Sequence, residues 1–499
     1  MLDLLPSIAA LSDARRAETD DAHKATWGQY FTPTEIAAFM AASILVRPGQ
    51  RLTVLDPGAG TGVLGAAAVK AALAMGAVAV QLIAVEADPG ALPALHHTMA
   101  MLRASHGARV TTTVRHMDFL DLGQPALGVE PLPSIDVVIA NPPYFKMSPT
   151  APRGGDAPNV YARFMEVAAS LLSPGGQLLF IIPRSFTSGL YFQRFRERLH
   201  RTMTLRAVHV FDSRRDAFKG DGVLQENIIV EYHKGAGTLP DVTVTSSAGA
   251  NDLSARRALV VPRSLILRPN DEAGVLMLPT DEADVALIRR VLAWPGRLRG
   301  LGLEISTGPV VPFRTDSMRA EAAEDTVPLL WMQHVRPDGV RWPLGAAFRK
   351  HEHLQLPDLG AASKLVVPNQ TYVLMRRFSA KEEARRLTVA VLRGGVLPGP
   401  TIALENHLNY IHRPGGQLET ALAFGLAAVL ASTICDDYFR TQSGNTQVSA
   451  TELRLMPLPA RESLIWLGEE VLKRGEVTLA QPETLARLID EEEARHGGE

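Results

Sequence analysis

Between residues 139 and 146 the chain reads IANPPYFK, an apolar run that stops on an amide, two prolines and an aromatic ring. The Asn141 side chain offers an acceptor and two donors, and Tyr144 offers a π face on which a flat group can lie. Pro142 and Pro143 each fix their own φ and bias the preceding residue toward extended backbone, so amide and carbonyls are held still. A rigid corner of this kind suits chemistry that depends on placing a planar group rather than on a strong base. Standing alone, the same four residues are more simply a capped turn.

A second constellation lies upstream in VLDPGAGTGVLGAAAVKAALAMG, residues 54–76. Gly58, Gly60 and Gly62 allow a tight turn and the close approach of a ligand, and Asp56 leads into that turn. The next apolar run ends at Glu86, where a βαβ unit places an acid for ribose hydroxyls. A third, RVTTTVRHMDFLDL, brings Asp118 and Phe119 to the following strand end, an acid for an adenine amine and a ring to pack on the base. Three acids and a glycine turn fit an adenosyl ligand, without separating nicotinamide cofactors from S-adenosylmethionine. Ahead of them, in WGQYFTPTEIAAFMAASI, Thr32-x-x-Glu35 reads as a capping box with Pro33 at the first helical position, so a helix is expected from Thr32. Its amino end suits a carboxylate.

These groups need a frame, and the alternation of short apolar runs with helical segments from about 52 to 233 supplies one. RLTVLD, VQLIAVEAD, IDVVIANPP, GGQLLFIIP, LRAVHVFD and NIIVEYH predict a mostly parallel sheet covered by helices, with functional groups at the carboxyl ends of strands. The last two are expected to be antiparallel neighbours, joined by the exposed loop SRRDAFKGDGVLQE. Residues 234–260 are rich in Gly, Ser and Pro and read as a linker. The expected domains are therefore 1–250, with a helical lead-in at 1–26, and 251–499.

The order QYFTP, DPGAGTG, VEAD, MDF, NPPY and GGQLLFIIP, followed by a long second half, resembles the gamma-class DNA N6-adenine methyltransferases of restriction-modification systems. STGPVVPFR, LENHLNYIH and YFRTQSGNTQVSATELRLMPLP resemble the target-recognition region of the PstI/BsuBI type. The resemblance implies an α/β fold, a Rossmann-like class I methyltransferase sheet with a C-terminal mixed α+β target-recognition domain. It implies S-adenosylmethionine as methyl donor, held by Tyr30, Phe31, Thr32, Asp56, Gly58, Gly60, Gly62, Glu86, Asp118, Phe119, Asn141 and Phe164. It also implies that the Asn141 side-chain oxygen and the Pro142 carbonyl accept the two amine protons of a flipped adenine. Tyr144 and Phe218 would stack on that base, with Phe211 as the runner-up for the second ring. Arg214, Arg215 and Lys219 are candidates for phosphates, Arg314, Arg376 and Arg377 for guanines or phosphates, and Asn445 and Gln447 for adenine edges. Ser449-x-x-Glu452 reads as a further capping box.

The partners implied are double-stranded DNA and a restriction endonuclease encoded separately. The rivals are a protein glutamine methyltransferase, which also uses NPPY, and a DNA-specificity subunit with an idle catalytic half. Cytosine N4 methylation is disfavoured by Asn141, where that group usually has Ser.

With 51 Lys+Arg against 53 Asp+Glu, overall charge neither requires nor excludes a polyanion. The single cysteine, Cys435, allows no internal disulfide, and no Cys/His spacing suggests a metal; KHEH, 350–353, reads as exposed. The start lacks signal-peptide features and the apolar stretch 421–435 is too short to span a membrane, so a cytoplasmic protein with a buried core helix is expected. Residues 380–393 read as helix and the tail 477–499 as a solvated helix end.

Overall fold

Five apolar runs of the first half lie side by side in parallel: β1 (Arg51–Pro57), β2 (Ala79–Glu86), β3 (Val110–His116), β4 (Ile135–Ala140) and β5 (Leu172–Pro183). The computed structural model describes residues 4–19, 31–123, 131–145, 159–211, 226–235, 241–267, 274–345, 347–356, 364–379, 383–442 and 447–496. The chain divides into two units, Met1–Glu282 and Ala283–Glu499.

In the first unit the spatial order is β3-β2-β1-β4-β5-β7-β6-β8-β9, where β6 is Met203–Phe211, β7 Asn227–Lys234, β8 Asp241–Ser247 and β9 Arg257–Pro262. The central strands are apolar on consecutive residues because helices cover both faces. One core joins Ile36 and Met40 of helix Thr34–Ala41, Leu64 and Val69 of helix Val63–Ala74, and Leu95 and Met99 of helix Leu92–His106 to strand residues Val54, Leu82, Ile139 and Ile181. The lead-in helix Leu5–Glu18 joins the same core through Leu5 and Ile8. β6 and β7 are antiparallel neighbours, as expected.

The boundary falls later than residue 250. Part of the Gly/Ser/Pro-rich segment forms β8 and β9, which extend the sheet, β8 running parallel to β6. The alternation of DVTVTSS, with Val242 and Val244 buried, is a strand signal inside linker-like composition. A second difference lies at Thr32: the helix begins at Thr34, its N-cap is Pro33, and no side chain among the described residues caps it.

The second unit contains a four-stranded sheet (Glu304–Thr307, Leu408–His412, Tyr372–Arg376, Val389–Leu392) and a five-stranded one built around Thr326–Leu330 and Thr401–Leu404. Of the expected helix over 380–393, residues 380–382 lie outside the described residues, and the described part holds the strand Val389–Leu392 instead of helix. Its four consecutive buried residues outweigh the helix-forming KEEARR composition ahead of it. Arg386 in that stretch is wholly buried, with its guanidinium over Phe439.

Helix Thr420–Ala431 is buried from Leu422 to Ala431 and crosses helix Arg461–Arg474 backbone to backbone. A Cβ at Gly425 would lie 1.7 Å from the Leu464 carbonyl oxygen, and one at Gly468 1.7 Å from that of Ala421, so only glycine permits the crossing. Among the described residues no single helix is long and apolar enough to cross a membrane. The tail is docked rather than solvated: helix Pro482–His496 buries Leu485, Leu488 and Ile489, which share one face. Within KHEH, Glu352 is buried and accepts from buried His334 at 2.7 Å and from the Leu344 N–H at 2.7 Å. Ser449 and Glu452 form the expected capping box.

Candidate functional site

The chain runs from β1 to β2 and β3 on one side, then crosses to β4 and β5 on the other. The gap between the carboxyl ends of β1 and β4 is thus the switch point, where open α/β sheets bind their ligands. The pairings Val54↔Val137 and Leu55↔Val138 bring the glycine turn after Pro57 and the corner after Ala140 to the same edge.

The glycine turn is held from the neighbouring strand. Gly58 and Ala59 donate to the Val85 carbonyl at 2.8 and 3.1 Å, and Gly60 donates to Glu86 Oε2 at 2.6 Å. Gly58, Gly60 and Gly62 have φ of 69°, 54° and 86°, a region that side chains with a Cβ rarely adopt. At Gly62 space also forbids a side chain, because Leu95, Thr98 and Met99 would lie within 3.0–3.3 Å of its Cβ. At Gly60 a Cβ would meet nothing within 4 Å among the described residues, which leaves the turn open to them on that side.

Glu86 is buried and its second oxygen accepts from the Asp88 N–H at 2.7 Å, so this acid shapes the turn. Burial raises its carboxyl above the ordinary range, against the pull of these hydrogen bonds. Asp56 is wholly enclosed: Oδ2 accepts from the Gly65 N–H at 2.8 Å, while Oδ1 has no hydrogen-bond partner among the described residues. Loss of hydration, aided by the Glu86 charge, pushes its carboxyl up to about 7 despite the Gly65 bond.

A carboxyl raised in this way stabilises the fold while protonated. Its contribution is complete below the ordinary value of 3.8 and is lost as pH rises through about 7. Asp56→Asn keeps an acceptor for Gly65 and removes the titration. Thermal melts from about pH 4 to about pH 7 should therefore show a flatter decline for the variant, and an unchanged slope would count against the burial argument.

At the opposite side of the switch point, Pro142 is buried while Asn141 and Tyr144 are half-buried. The Tyr144 hydroxyl lies 2.5 Å from Asn141 Oδ1 and 3.0 Å from the Ile181 carbonyl, and Asn141 Nδ2 donates to Thr32 Oγ1 at 3.1 Å. The Tyr144 ring stands edge-on to Tyr161, which stacks on Phe192 at 5.4 Å. Phe145, next in the chain, is exposed.

Phe119 and Phe164 lie together with ring centroids 4.9 Å apart, and a Cβ at Gly58 would touch Phe164 at 3.6 Å. Both rings are buried, and Phe164 also belongs to the buried face of its helix, Val160–Leu171. Asp118 Oδ1 accepts from the Leu120 N–H at 2.9 Å. Phe31 is buried under the Arg16 guanidinium.

Phe211 is 1% exposed at the end of β6, edge-on to His209, and as a core ring it presents no face to a ligand. Tyr30, Phe218, Arg214, Arg215, Lys219 and Asn445 lie outside the described residues. In the second unit Arg314 is exposed beside Phe313, itself 80% exposed, and Gln447 is exposed. Arg376 and Arg377 donate to the carbonyls of Val335 and Asn406, which gives them a structural occupation.

Sequence reasoning missed the part played by the lead-in helix. Ser12 shares a 2.6 Å hydrogen bond with Thr61 inside the glycine turn, and Arg15 pairs with buried Asp88 at 3.1 Å. Neither residue sits in a motif, and only tertiary contact reveals them. Tyr161 was likewise hidden by its helical spacing.

Residues 17–157 match the family model N-6 DNA Methylase, and residues 130–218 match Eco57I restriction-modification methylase. The Type II methyltransferase M.PstI of Providencia stuartii is 33% identical over 476 residues, covering 93% of both chains. The Type II methyltransferase M.BsuBI of Bacillus subtilis is 33% identical over 472 residues, 91% of this chain and 92% of that one. Among solved structures, the Type IIL restriction-modification enzyme MmeI in complex with DNA shares the fold. It aligns with a TM-score of 0.50 at 11% identity, over 94% of this chain and 68% of that one.

Proposed function

Because this chain belongs to the PstI/BsuBI-type DNA adenine N6-methyltransferases of restriction-modification systems, we propose that its first unit carries a methyl group from S-adenosylmethionine to an adenine turned out of duplex DNA. The observation that carries the reading is the pairing, across one switch point, of an open glycine turn and the rigid Asn141 corner.

The residues around the turn fit such a donor. Gly60 leaves backbone open to a ligand, Glu86 stands at the adjoining strand end, and Asp56 keeps a buried oxygen without a hydrogen-bond partner among the described residues. Gly58, Gly60, Gly62, Glu86, Asp118, Phe119 and Phe164 would line the adenosyl part, with Phe31, Asp56 and the main chain of Thr32 toward the amino-acid part. When bound, the donor supplies a sulfonium-activated methyl group.

The protein's own task is placement. An exocyclic amine on adenine has its lone pair delocalised into the ring. Accepting a hydrogen bond from one amine N–H on Asn141 Oδ1 and from the other on the Pro142 carbonyl turns that pair out of the plane and aims it. Tyr144 and Phe218 would hold the base by its faces, stacking worth about 1–3 kcal/mol per ring.

We assign catalysis to residues 1–282 and target recognition to 283–499. Arg314, Asn445 and Gln447 are proposed to face DNA there, and Arg214, Arg215 and Lys219 to face phosphates beside the extruded base. A separately encoded restriction endonuclease is the proposed partner system, and the cytoplasm, where the DNA lies, the proposed location.

The test is direct. Incubated with methyl-labelled S-adenosylmethionine and unmodified plasmid, the chain should place label in N6-methyladenine at one sequence word. Label recovered in N4-methylcytosine or in protein glutamine, with none in adenine, would overturn the reading.

A further inference from the structure

The corner at Asn141 is not self-sufficient. A primary amide has two chemically different ends, and only its oxygen can accept a hydrogen bond from an amine. Something must keep that oxygen, and not the nitrogen, turned toward the substrate.

Both ends of the amide are gripped. At the oxygen end the Tyr144 hydroxyl approaches to 2.5 Å; at the other end Nδ2 donates to Thr32 Oγ1 at 3.1 Å, a bond spanning 109 residues of chain. An sp² oxygen has two lone pairs, so Oδ1 can hold Tyr144 and still accept an amine proton.

The Thr32 hydroxyl is available for this because its own helix does not use it. Helix Thr34–Ala41 starts two residues later, with Pro33 at the N-cap and no side-chain cap. Thr32 also precedes a proline, as Asn141 does, and the residue before a proline is confined to extended backbone. The hydrogen bond therefore joins two stiffened backbones, from the segment before the first helix of the sheet to the end of β4.

We propose that Thr32 is a positioning residue: its hydroxyl oxygen holds the Asn141 amide nitrogen and thereby presents the amide oxygen to the adenine amine. The inference rests on the methyltransferase reading above and deepens it. Without the hydroxyl the amide loses the anchor that fixes Nδ2 at this end, and a χ2 rotation out of the present pose carries Oδ1 away from the amine. Thr32→Val preserves the shape of the side chain and removes only the hydrogen bond. Thr32→Ser restores the oxygen.

With purified full-length protein and a duplex containing the recognised word, Thr32→Val should lower kcat on the order of tenfold, the effect of losing one orienting hydrogen bond. The KM for DNA, the calorimetric Kd for S-adenosylmethionine and the melting temperature should stay close to wild type. Thr32→Ser should recover most of kcat. In an Asn141→Ala background Thr32→Val should have no further effect, because residues acting through one another are not additive.

Unchanged kcat overturns the proposal. So does a change confined to the donor Kd, which would make Thr32 a cofactor ligand alone, and so do fold-changes that multiply in the double variant. A wild-type chain that labels no adenine defeats the methyltransferase reading before any variant is compared, so the two failures are distinguishable.

Discussion

Asn141→Ala is expected to yield a folded protein that still binds S-adenosylmethionine yet methylates duplex DNA at least about a hundredfold more slowly, the usual cost of removing one preorganised polar group that acts in the transition state. The corner contributes no strong base, so its rate enhancement must come from where Oδ1 stands. Alanine deletes that oxygen and also frees the Tyr144 hydroxyl and Thr32 Oγ1 from their shared partner. The backbone stays in place, because Pro142 and Pro143 constrain it independently of the side chain. A duplex carrying a fluorescent adenine analogue at the target should therefore still report an extruded base. Single-turnover transfer measured beside donor calorimetry separates the effects. A variant within a few-fold of wild type would remove Asn141 from the mechanism, and a variant unable to bind donor would move it to the cofactor site.

The parts of this molecule that were legible in the sequence are those fixed by local rules. Alternating apolar runs gave the central strands, since buried parallel strands require apolar residues on both faces, and the glycines announced a turn that other residues cannot make. The motif residues Asn141, Tyr144, Asp56 and Glu86 fall on one edge because strand direction and order place them there. What the sequence hid depends on partners distant in the chain. Thr32 and Glu35 have the spacing of a capping box, but the hydroxyl goes to Asn141 and the helix starts at Thr34. Phe211 and Phe218 were both aromatic candidates near one loop, and burial of Phe211 in the core depends on the packing of β6, which spacing does not encode. Glu352 of KHEH resembled surface charge until its pairing with His334 became visible.

Glu226→Ala should be the most damaging change away from the switch point. Arg184 follows β5 directly and Glu226 precedes β7, where Pro183 pairs with Asn227. The two side chains are 5% and 2% exposed and meet at 2.6 Å, and the Arg184 N–H donates to the Glu226 carbonyl at 2.6 Å. Truncating one member of such a buried pair removes the other's counter-charge at 2.6 Å, at a cost of about 3–5 kcal/mol. For a unit of this size that corresponds to a melting temperature lower by on the order of 10 °C. The pair also sits at the root of the segment that carries Phe218, since residue 226 immediately follows it. Loss of stability should thus come with weaker trapping of a flipped base, while donor affinity at the β1 edge changes little at temperatures where the variant is folded. The charge-free replacement Arg184→Met with Glu226→Leu separates the two consequences. If the pair serves only packing, the apolar double variant should recover both melting temperature and base trapping. If its geometry sets the root of the segment, stability should return and trapping should not. A melting temperature for Glu226→Ala equal to that of the wild-type protein would show that this pair does not hold β5 and β7 together.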